Sequence, residues 1–550
     1  MTNPSLALQR AAFVLPDGRT LFSAIDLELD QRRTALIGRN GVGKSVLAQL
    51  LCGRLEPTAG RCRRNGRVHY LAQQIVPPAE ATVAQVAGVA PVLAALARIE
   101  AGSTAAADFD RVGEHWDMRQ RLEAVLREHD LGHLAAEQPA HSLSGGELTR
   151  VALAGAWLSE ADFLVLDEPS NHLDRAQREL LQRRLREWPR GLLLVSHDRE
   201  LLRTMQRIVE LSAAGLHDYG GGYDFHVARR AGERGQAAQE LARARLERRR
   251  GEAELREQRE RQQRRQSRGQ REGRQANQAP ILLGLQKQRS EQSAGRLDQQ
   301  QTARREALAA QVSAAAQRVE PEQDIVVFAP AAAAAAAPRR AAVLDQVILP
   351  YGLAAGRPLD LVIAGGQRIG LTGANGSGKS TLLKVLCAAL APPGGQCALH
   401  VPVAYLGQRL ELLDAQQALL PQLLALQARA NEAELRSRLA LLGLDSAAVA
   451  CPAGQLSGGE RLKAALACAL YRDQPAGLLL LDEPSNHLDL SSLQALEQML
   501  RQYHGALVVV SHDAAFLAQL GLDTRLEIGA AGWCVRPWSD ESAAGEGTAL

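Results

Sequence analysis

The stretch LDEPSNHLD occupies residues 166–174 and returns at 481–489, identical at all nine positions. Such a repeat implies a duplicated domain, and the flanking sequence bears the same duplication. GRNGVGKS at 38–45 matches GANGSGKS at 373–380, and HYLAQQ at 69–74 resembles AYLGQR at 404–409. LSGGE recurs at 143–147 and 456–460, and SHD at 196–198 and 511–513. The spacings hold as well: 29 residues separate Lys44 from Gln73 and Lys379 from Gln408, and 29 separate Glu168 from His197 and Glu483 from His512. Cys52 and Cys62 follow Lys44 at the spacing by which Cys387 and Cys397 follow Lys379. They read as small apolar residues inherited by both copies.

Length and composition limit what is duplicated. The chain has 550 residues, 46% of them hydrophobic and 23% charged, enough for several globular domains with cores of their own. No apolar run approaches the 18 or so residues that span a bilayer, and PAAAAAAAP at 330–338 is far too short. The N-terminus, MTNPSLALQRAAF, lacks the basic region and apolar core of a secretory signal, so a cytoplasmic location is expected. None of the seven cysteines forms a C-x-x-C pair. The domain reading is one copy at 1–225, a connector at 226–340 and a second copy at 341–550.

Each motif has a chemical reason. G-x-x-x-x-G-K-S marks a loop whose backbone amides wrap phosphate oxygens, here through Gly38, Asn40, Gly41 and Gly43, and through Gly373, Asn375, Gly376 and Gly378. Lys44 or Lys379 reaches the outer phosphates, while Ser45 or Ser380, the latter followed by Thr381, ligates Mg2+. The apolar RTALI and RIGLT before the loops read as strands, and VLAQLLCGRL and TLLKVLCAAL after them as helices. FLVLDE and LLLLDE place a carboxylate pair at the end of a buried parallel strand. Asp167 and Asp482 then hold the metal shell, and Glu168 and Glu483 polarise the attacking water. His197 and His512, each closing an apolar strand, are suited to bond the terminal phosphate, and Gln73 and Gln408 offer both donor and acceptor to metal and water.

LSGGE settles the family. A serine and two glycines ahead of a helical stretch form an anion site at a positive helix end. With the other motifs in this order, the chain resembles the ATP-binding cassette superfamily over nearly all its length outside 226–340. That resemblance implies an α/β fold with two P-loop cassettes facing head to tail, ATP as substrate and Mg2+ as cofactor. It pairs Lys44, Asp167, Glu168 and His197 with Ser457, Gly458 and Gly459, and pairs Lys379, Asp482, Glu483 and His512 with Ser144, Gly145 and Gly146. Adenine stacking would fall to Phe13 or Tyr351. Val46 stands where Thr381 stands in the second copy, so the first loop has one hydroxyl fewer.

The connector narrows the family further. Residues 226–320 carry 22 Lys and Arg against 12 Asp and Glu, a net of +10 in a chain whose total is +3. LARARLERRRGEAELREQRERQQRRQSRGQREGRQ favours a long exposed helix over 230–275, with a second helix returning over about 287–320. Between them ANQAPILLGLQK at 276–287 makes an apolar tip around Pro280 and Gly284. A solvated charged connector is the competing reading. The arginines lack interleaved aromatics, which favours contact with structured RNA backbone over base stacking. Arg264, Arg265, Arg268, Arg271, Arg274, Lys287 and Arg289 are the candidates for that contact.

Two cassettes, SNHLD in both and a basic helical connector resemble the ABC-F family of ribosome-associated ATPases. The resemblance implies ribosomal RNA and P-site tRNA as partners, two composite ATP sites in a monomer, and action near the peptidyl-transferase centre through the connector tip, as a translation factor or in antibiotic resistance. The first copy has 22 more residues between its glutamine and its signature than the second, which predicts a short helical projection at about 90–115. An ATPase subunit of a transporter and a DNA-associated ATPase are the alternatives.

Overall fold

A computed structural model describes residues 4–212, 214–275, 299–316, 339–407, 410, 412–427, 431–486, 488–529 and 532–539. They fall into two bodies, one holding both copies of the repeat and the other the segment between them, 224–322. The fold is α/β, as the motif order predicts.

Each copy is built on a six-stranded sheet. In the first, the strand order is Val68–Leu71, Phe163–Asp167, Gly191–Val195, Arg33–Ile37, Arg207–Ser212, Gly215–Asp218, parallel except for the last pair. The second copy repeats it with Val403–Leu406, Leu478–Asp482, Ala506–Val510, Arg368–Gly373, Thr524–Gly529 and Gly532–Pro537. FLVLD, GLLLV, LLLLD and ALVVV are buried at every position, because helices or a second sheet cover both faces of a parallel sheet. Alternate residues go to opposite cores. Phe163 and Val165 pack with Leu47 and Leu50 of the helix Lys44–Cys52, whereas Leu164 and Leu166 pack with Leu153 and Ala156 of the helix Gly145–Leu158.

A smaller antiparallel sheet completes each copy, Thr20–Leu29, Ser5–Val14 and Ala59–Asn65 in the first, Pro358–Ala364, Arg340–Ile348 and Gly394–Leu399 in the second. PLDLVIA alternates exposed and buried along its length, as a strand with one covered face must. The extra residues of the first copy form two short helices, Ala90–Glu100 and Ala106–Val112, tied by Arg98 Nη2 to Asp108 Oδ1 at 2.6 Å.

The other body contains most of one long helix, Tyr223–Gln275, 53 residues and therefore about 80 Å at 1.5 Å per residue. It starts seven residues before the expected 230. Residues 299–316 are helical again. Arg259 Nε donates to Gln301 Oε1 at 2.8 Å, Arg304 Nη2 pairs with Glu254 Oε2 at 3.0 Å, and a Cβ on Gly251 would come within 2.6 Å of Leu308 Cδ1. As one partner's number rises the other's falls, so the two helical stretches run antiparallel. Arg264, Arg265, Arg268, Arg271 and Arg274 lie on the long helix, with Arg264 and Arg268 exposed. The tip at 276–287, with Lys287 and Arg289, lies outside the described residues. Among the described residues no helix is long and apolar enough to cross a membrane.

Two glycines in helices separate close packing from propensity. A Cβ on Gly155 would stand 2.4 Å from the Ala87 carbonyl oxygen, a backbone atom that cannot rotate away, whereas Gly232 has open space around it. Gly155→Ala is expected to lower the melting temperature although alanine is the better helix former by about 1 kcal/mol. Gly232→Ala is expected to slow amide exchange along Tyr223–Gln275 by roughly fivefold.

Candidate functional site

The phosphate-loop geometry follows from its glycines. Gly41 and Gly43 hold φ at 77° and 104°, and Gly376 and Gly378 at 73° and 109°, a left-handed region open to glycine at little cost. Gly43 and Gly378 cap the helices Lys44–Cys52 and Lys379–Leu386 with no side-chain hydrogen bond, which leaves the first-turn amides facing the loop. Both lysines are buried and fold back on it. Lys44 Nζ donates to the carbonyls of Gly38 (2.8 Å) and Arg39 (3.0 Å), and Lys379 Nζ to those of Gly373 (2.7 Å) and Ala374 (2.9 Å). Burial lowers both ammonium pKa values, against the pull of Glu168 and Glu483.

The carboxylate pair ends the second strand of each parallel sheet. Asp167 Oδ2 accepts from the Tyr70 hydroxyl at 3.2 Å, and Asp482 Oδ2 from the Tyr405 hydroxyl at 3.1 Å. Desolvation raises the Asp167 pKa, opposed by a hydrogen bond from Ser45. The next residue turns sharply: Glu168 and Glu483 hold φ at 48° and 50°, a costly conformation for a residue with a Cβ, anchored by N–H bonds to Val195 O (2.8 Å) and Val510 O (2.9 Å). Burial pushes the Glu168 carboxyl up to about 8 and that of Glu483 up to about 7. Each glutamate Oε1 lies 3.5 Å from a histidine Nε2, His197 in the first copy and His512 in the second. Burial lowers both imidazoles to about 3, so they are neutral at pH 7 and act as hydrogen-bonding groups, not cations.

The signature serines cap helices. Ser144 Oγ accepts from the Glu147 N–H while Glu147 Oε2 accepts from the Ser144 N–H at 2.8 Å, and Ser457 and Glu460 repeat this reciprocal box. The spacing within LSGGE that both copies share is thus S-x-x-E capping chemistry as well as an anion site.

The two copies face each other inside one body. A cavity of about 820 Å³ is lined by Asn40, Gly41, Gly43, Lys44, Ser45, Gln73, Asp167, Glu168 and His197 of the first copy together with Gly458 and Arg461 of the second. A second cavity, about 680 Å³, is lined by Asn375, Gly376, Gly378, Lys379, Ser380, Thr381, Asp482, Glu483 and His512 together with Ser144 and Gly146 of the first. Gly145, Ser457 and Gly459 do not line them, nor do Gly38 and Gly373, which serve the backbone path of the loops. Gln408 lies outside the described residues. Tyr351 borders the second cavity, but Phe13 packs against Phe22 at 6.4 Å between ring centroids, and Leu15, Arg19 and Leu21 take its expected place.

The last residue of LDEPSNHLD makes the link. Asp489 Oδ2 accepts from the Asn40 N–H at 2.9 Å while its Oδ1 accepts from Ser492 N at 2.8 Å on its own helix. Burial works against ionising Asp489, yet these bonds hold its pKa down to about 2. Asp174 Oδ2 reaches the Asn375 N–H at 3.5 Å, and Asn375 Nδ2 donates to His172 O at 3.0 Å.

Three features escaped the sequence reading. The hydroxyls of Tyr70 and Tyr405 steady the aspartates, and their signal was the tyrosine shared by HYLAQQ and AYLGQR. Arg178 lines the second cavity, where Leu493 holds the corresponding position for the first. Arg199 pairs across the copies with Glu497 at 2.9 Å, between positions that are Ala514 and Gln182 in the reverse sense, so no repeat announced it.

The residues present fit Mg2+. Asp167 Oδ1 is buried without a partner, and the donors beside it are oxygens, as a hard cation requires. Among the described residues no three His, Cys, Asp or Glu gather into a cage, which suits a cation held by one carboxylate, a hydroxyl and phosphate oxygens.

Comparison with known proteins agrees with this geometry. A family model described as ABC transporter matches residues 23–171 and 357–486. The tylosin resistance ATP-binding protein TlrC of Streptomyces fradiae is 30% identical over 534 residues, covering 90% of this chain and 92% of that protein. The probable ATP-binding protein YheS of Escherichia coli K12 is 30% identical over 529 residues, covering 93% of this chain and 76% of that protein. Among solved structures, one described as RNase-L Inhibitor aligns with a TM-score of 0.56 at 20% identity, covering 96% of this chain and 90% of the other, a likeness of fold.

The buried glutamates make stability depend on pH. Their folded pKa values, about 8 and about 7, lie above the 4.5 of an ordinary glutamate, so their support for the fold is complete below about 4.5 and is lost as pH rises through 7 to 8. For the nucleotide-free protein, Glu168→Gln is expected to raise the melting temperature by at least about 2 °C at pH 8.5 and by much less at pH 5. Differential scanning fluorimetry at the two pH values checks it; an equal gain at both would contradict the assignment.

Proposed function

The chain belongs to the ATP-binding cassette family as a tandem-cassette, ATP-binding protein of the ABC-F type, and from that premise we propose that it binds the ribosome with ATP in both cavities and leaves after hydrolysis. The observation that carries this reading is the pairing of each phosphate loop with the other cassette's signature, in a chain whose intervening segment begins with a 53-residue arginine-rich helix. ATP bound in either cavity touches both cassettes, so its presence holds them together and its loss lets them part. The arginines of the connector meet ribosomal RNA and P-site tRNA by charge, and its tip at 276–287 acts at the peptidyl-transferase centre. A relative named for tylosin resistance supports antibiotic resistance as one use of the same action.

Hydrolysis is mostly positioning and charge neutralisation. In the first cavity the loop amides and Lys44 hold the phosphates; Ser45 and Asp167, with Gln73, would hold Mg2+. In the second cavity Lys379 takes the lysine's part, and Ser380 and Asp482 would hold the metal; Gln408, the expected further ligand, lies outside the described residues. Mg2+, when bound, neutralises phosphate charge. Glu168 or Glu483 accepts a hydrogen bond from a water aimed at the terminal phosphorus. As the water oxygen bonds to phosphorus, the bond to the bridging oxygen breaks and the glutamate takes the water's proton. A carboxyl raised toward neutrality by burial is a competent base for that transfer. The neutral imidazole of His197 or His512 donates to a terminal phosphate oxygen. Ser144 and Gly146, or Gly458, close the far side with helix-end dipole charge.

Replacing both glutamates (Glu168→Gln, Glu483→Gln) is expected to cut ATP turnover by about 10²-fold or more while leaving ATP-driven closure intact. That variant should co-sediment with ribosomes in ATP and not in ADP. Sedimentation free of ribosomes in both nucleotides would sink the ribosome reading. Drug-susceptibility testing of cells expressing the wild type separates resistance from general translation control.

A further inference from the structure

The duplication offers an internal control, because a residue present in one copy and missing from the other is not needed by the shared frame. The outer edge of the small sheet in the first cassette, Ala59–Asn65, is the clearest such case. The two frames match closely. Arg10 and Gln346 both take positive φ, 46° and 49°, and each lies against a glycine, Gly60 at 81° or Gly395 at 78°. Leu8 pairs with Cys62 as Leu344 pairs with Cys397. On that frame the first copy places Arg54, Arg61, Arg63, Arg64 and Arg67, all exposed, where the second has Ala389, Gln396, Ala398, Leu399 and Pro402.

Local roles do not account for the cluster. The Arg54 guanidinium lies 4.8 Å above the Tyr70 ring, Arg64 lies over Gly53 at the end of the helix Lys44–Cys52, and Arg67 Nη2 donates to Glu160 O at 3.0 Å. Arg61 Nε donates only to the amide oxygen of Gln9, at 2.8 Å. Among the described residues none of the five guanidiniums is in an ion pair, and the only acid within 54–67 is Glu56. Charges on an edge strand can block edge-to-edge pairing, but Gly394–Leu399 is also an edge and has no charge. Three guanidiniums on the edge strand and two beside it, all outside ion pairs among the described residues, leave a surface that favours a polyanion.

We infer that the Ala59–Asn65 edge of the first cassette is an RNA-binding surface that takes the phosphate backbone of structured RNA, separate from the connector and absent from the second cassette. The partner's identity rests on the ribosome reading. Arg61 and Arg63 point to the same face by the two-residue period of a strand and form its centre, with Arg54, Arg64 and Arg67 at the rim. The strand, AGRCRRN, has no aromatic on which an unpaired base could stack and no large apolar residue to enter a membrane. Backbone phosphate is what remains.

The test swaps in the second copy's residues, Arg61→Gln and Arg63→Ala, which the common frame already tolerates. In the Glu168→Gln, Glu483→Gln background with ATP, log affinity for ribosomes is measured against log salt concentration. Losing two phosphate contacts should flatten the slope by about 2. Adding Gln396→Arg and Ala398→Arg restores the net charge on the wrong cassette and should not restore the slope. An unchanged slope, or full rescue by the relocated charge, would overturn the surface while leaving the ribosome reading intact. Should the parent not sediment with ribosomes at all, that reading fails, and binding to a double-stranded RNA fragment decides the surface: weaker binding by the swapped variant supports it, equal binding overturns it. Flotation with phosphatidylserine vesicles that depends on Arg61 and Arg63, without RNA binding, would also overturn it. ATP turnover and melting temperature, compared for the swap in a wild-type background, should stay unchanged.

Discussion

One carboxylate with two duties governs this molecule. Asp489 caps the helix of its own cassette with one oxygen and accepts the Asn40 amide of the other cassette's phosphate loop with its second. Because the same side chain ends LDEPSNHLD and begins a helix, it cannot move toward or away from the opposite loop without moving its own helix. Asp174 and His172 repeat the link in the other direction, at 3.5 Å and 3.0 Å. Each phosphate loop therefore takes its shape partly from the neighbouring cassette, and neither cavity is complete alone.

Burial then determines what the chemical groups can do. Glu168 and Glu483 sit largely buried at strand ends, in a strained backbone turn held by the next strand. Burial disfavours charge on either group, so the carboxyl pKa values rise to about 8 and about 7 while those of His197 and His512 fall to about 3. An acid and an imidazole 3.5 Å apart would form an ion pair at the surface. In this setting the imidazoles are neutral and the carboxyls only partly ionised near pH 7, so the pair is held by desolvation and geometry and not by opposite charge. The turn at φ near 50° is one cost of aiming the glutamate into the cavity.

The symmetry of the motifs hides real asymmetry. Arg178 borders one cavity where Leu493 holds the matching place for the other, Arg199 and Glu497 join the cassettes once, and the edge arginines occur on one cassette only. These residues surround the common machinery without belonging to any repeated motif. Two cavities with the same reactive groups thus differ in the placement of charge and in what surrounds them.

How much of this could be read from the chain follows from the range of the forces involved. Glycine spacing, apolar strands and S-x-x-E capping are local, so GRNGVGKS, FLVLDE and LSGGE already implied strand, loop, carboxylates and capped helix, and their repetition implied two cassettes. The arginine-rich run similarly determined a long helix, though not its start at Tyr223. Long-range contacts were a different matter. That Tyr70 and Tyr405 reach the aspartates, that Phe13 turns to Phe22 and leaves the cavity wall to Leu15, Arg19 and Leu21, and that Arg199 finds Glu497 all depend on packing between segments tens to hundreds of residues apart. Local patterns fix which chemical groups are present and on which element; only the folded pairing of the two cassettes decides their depth from water and their neighbours, and hence their protonation.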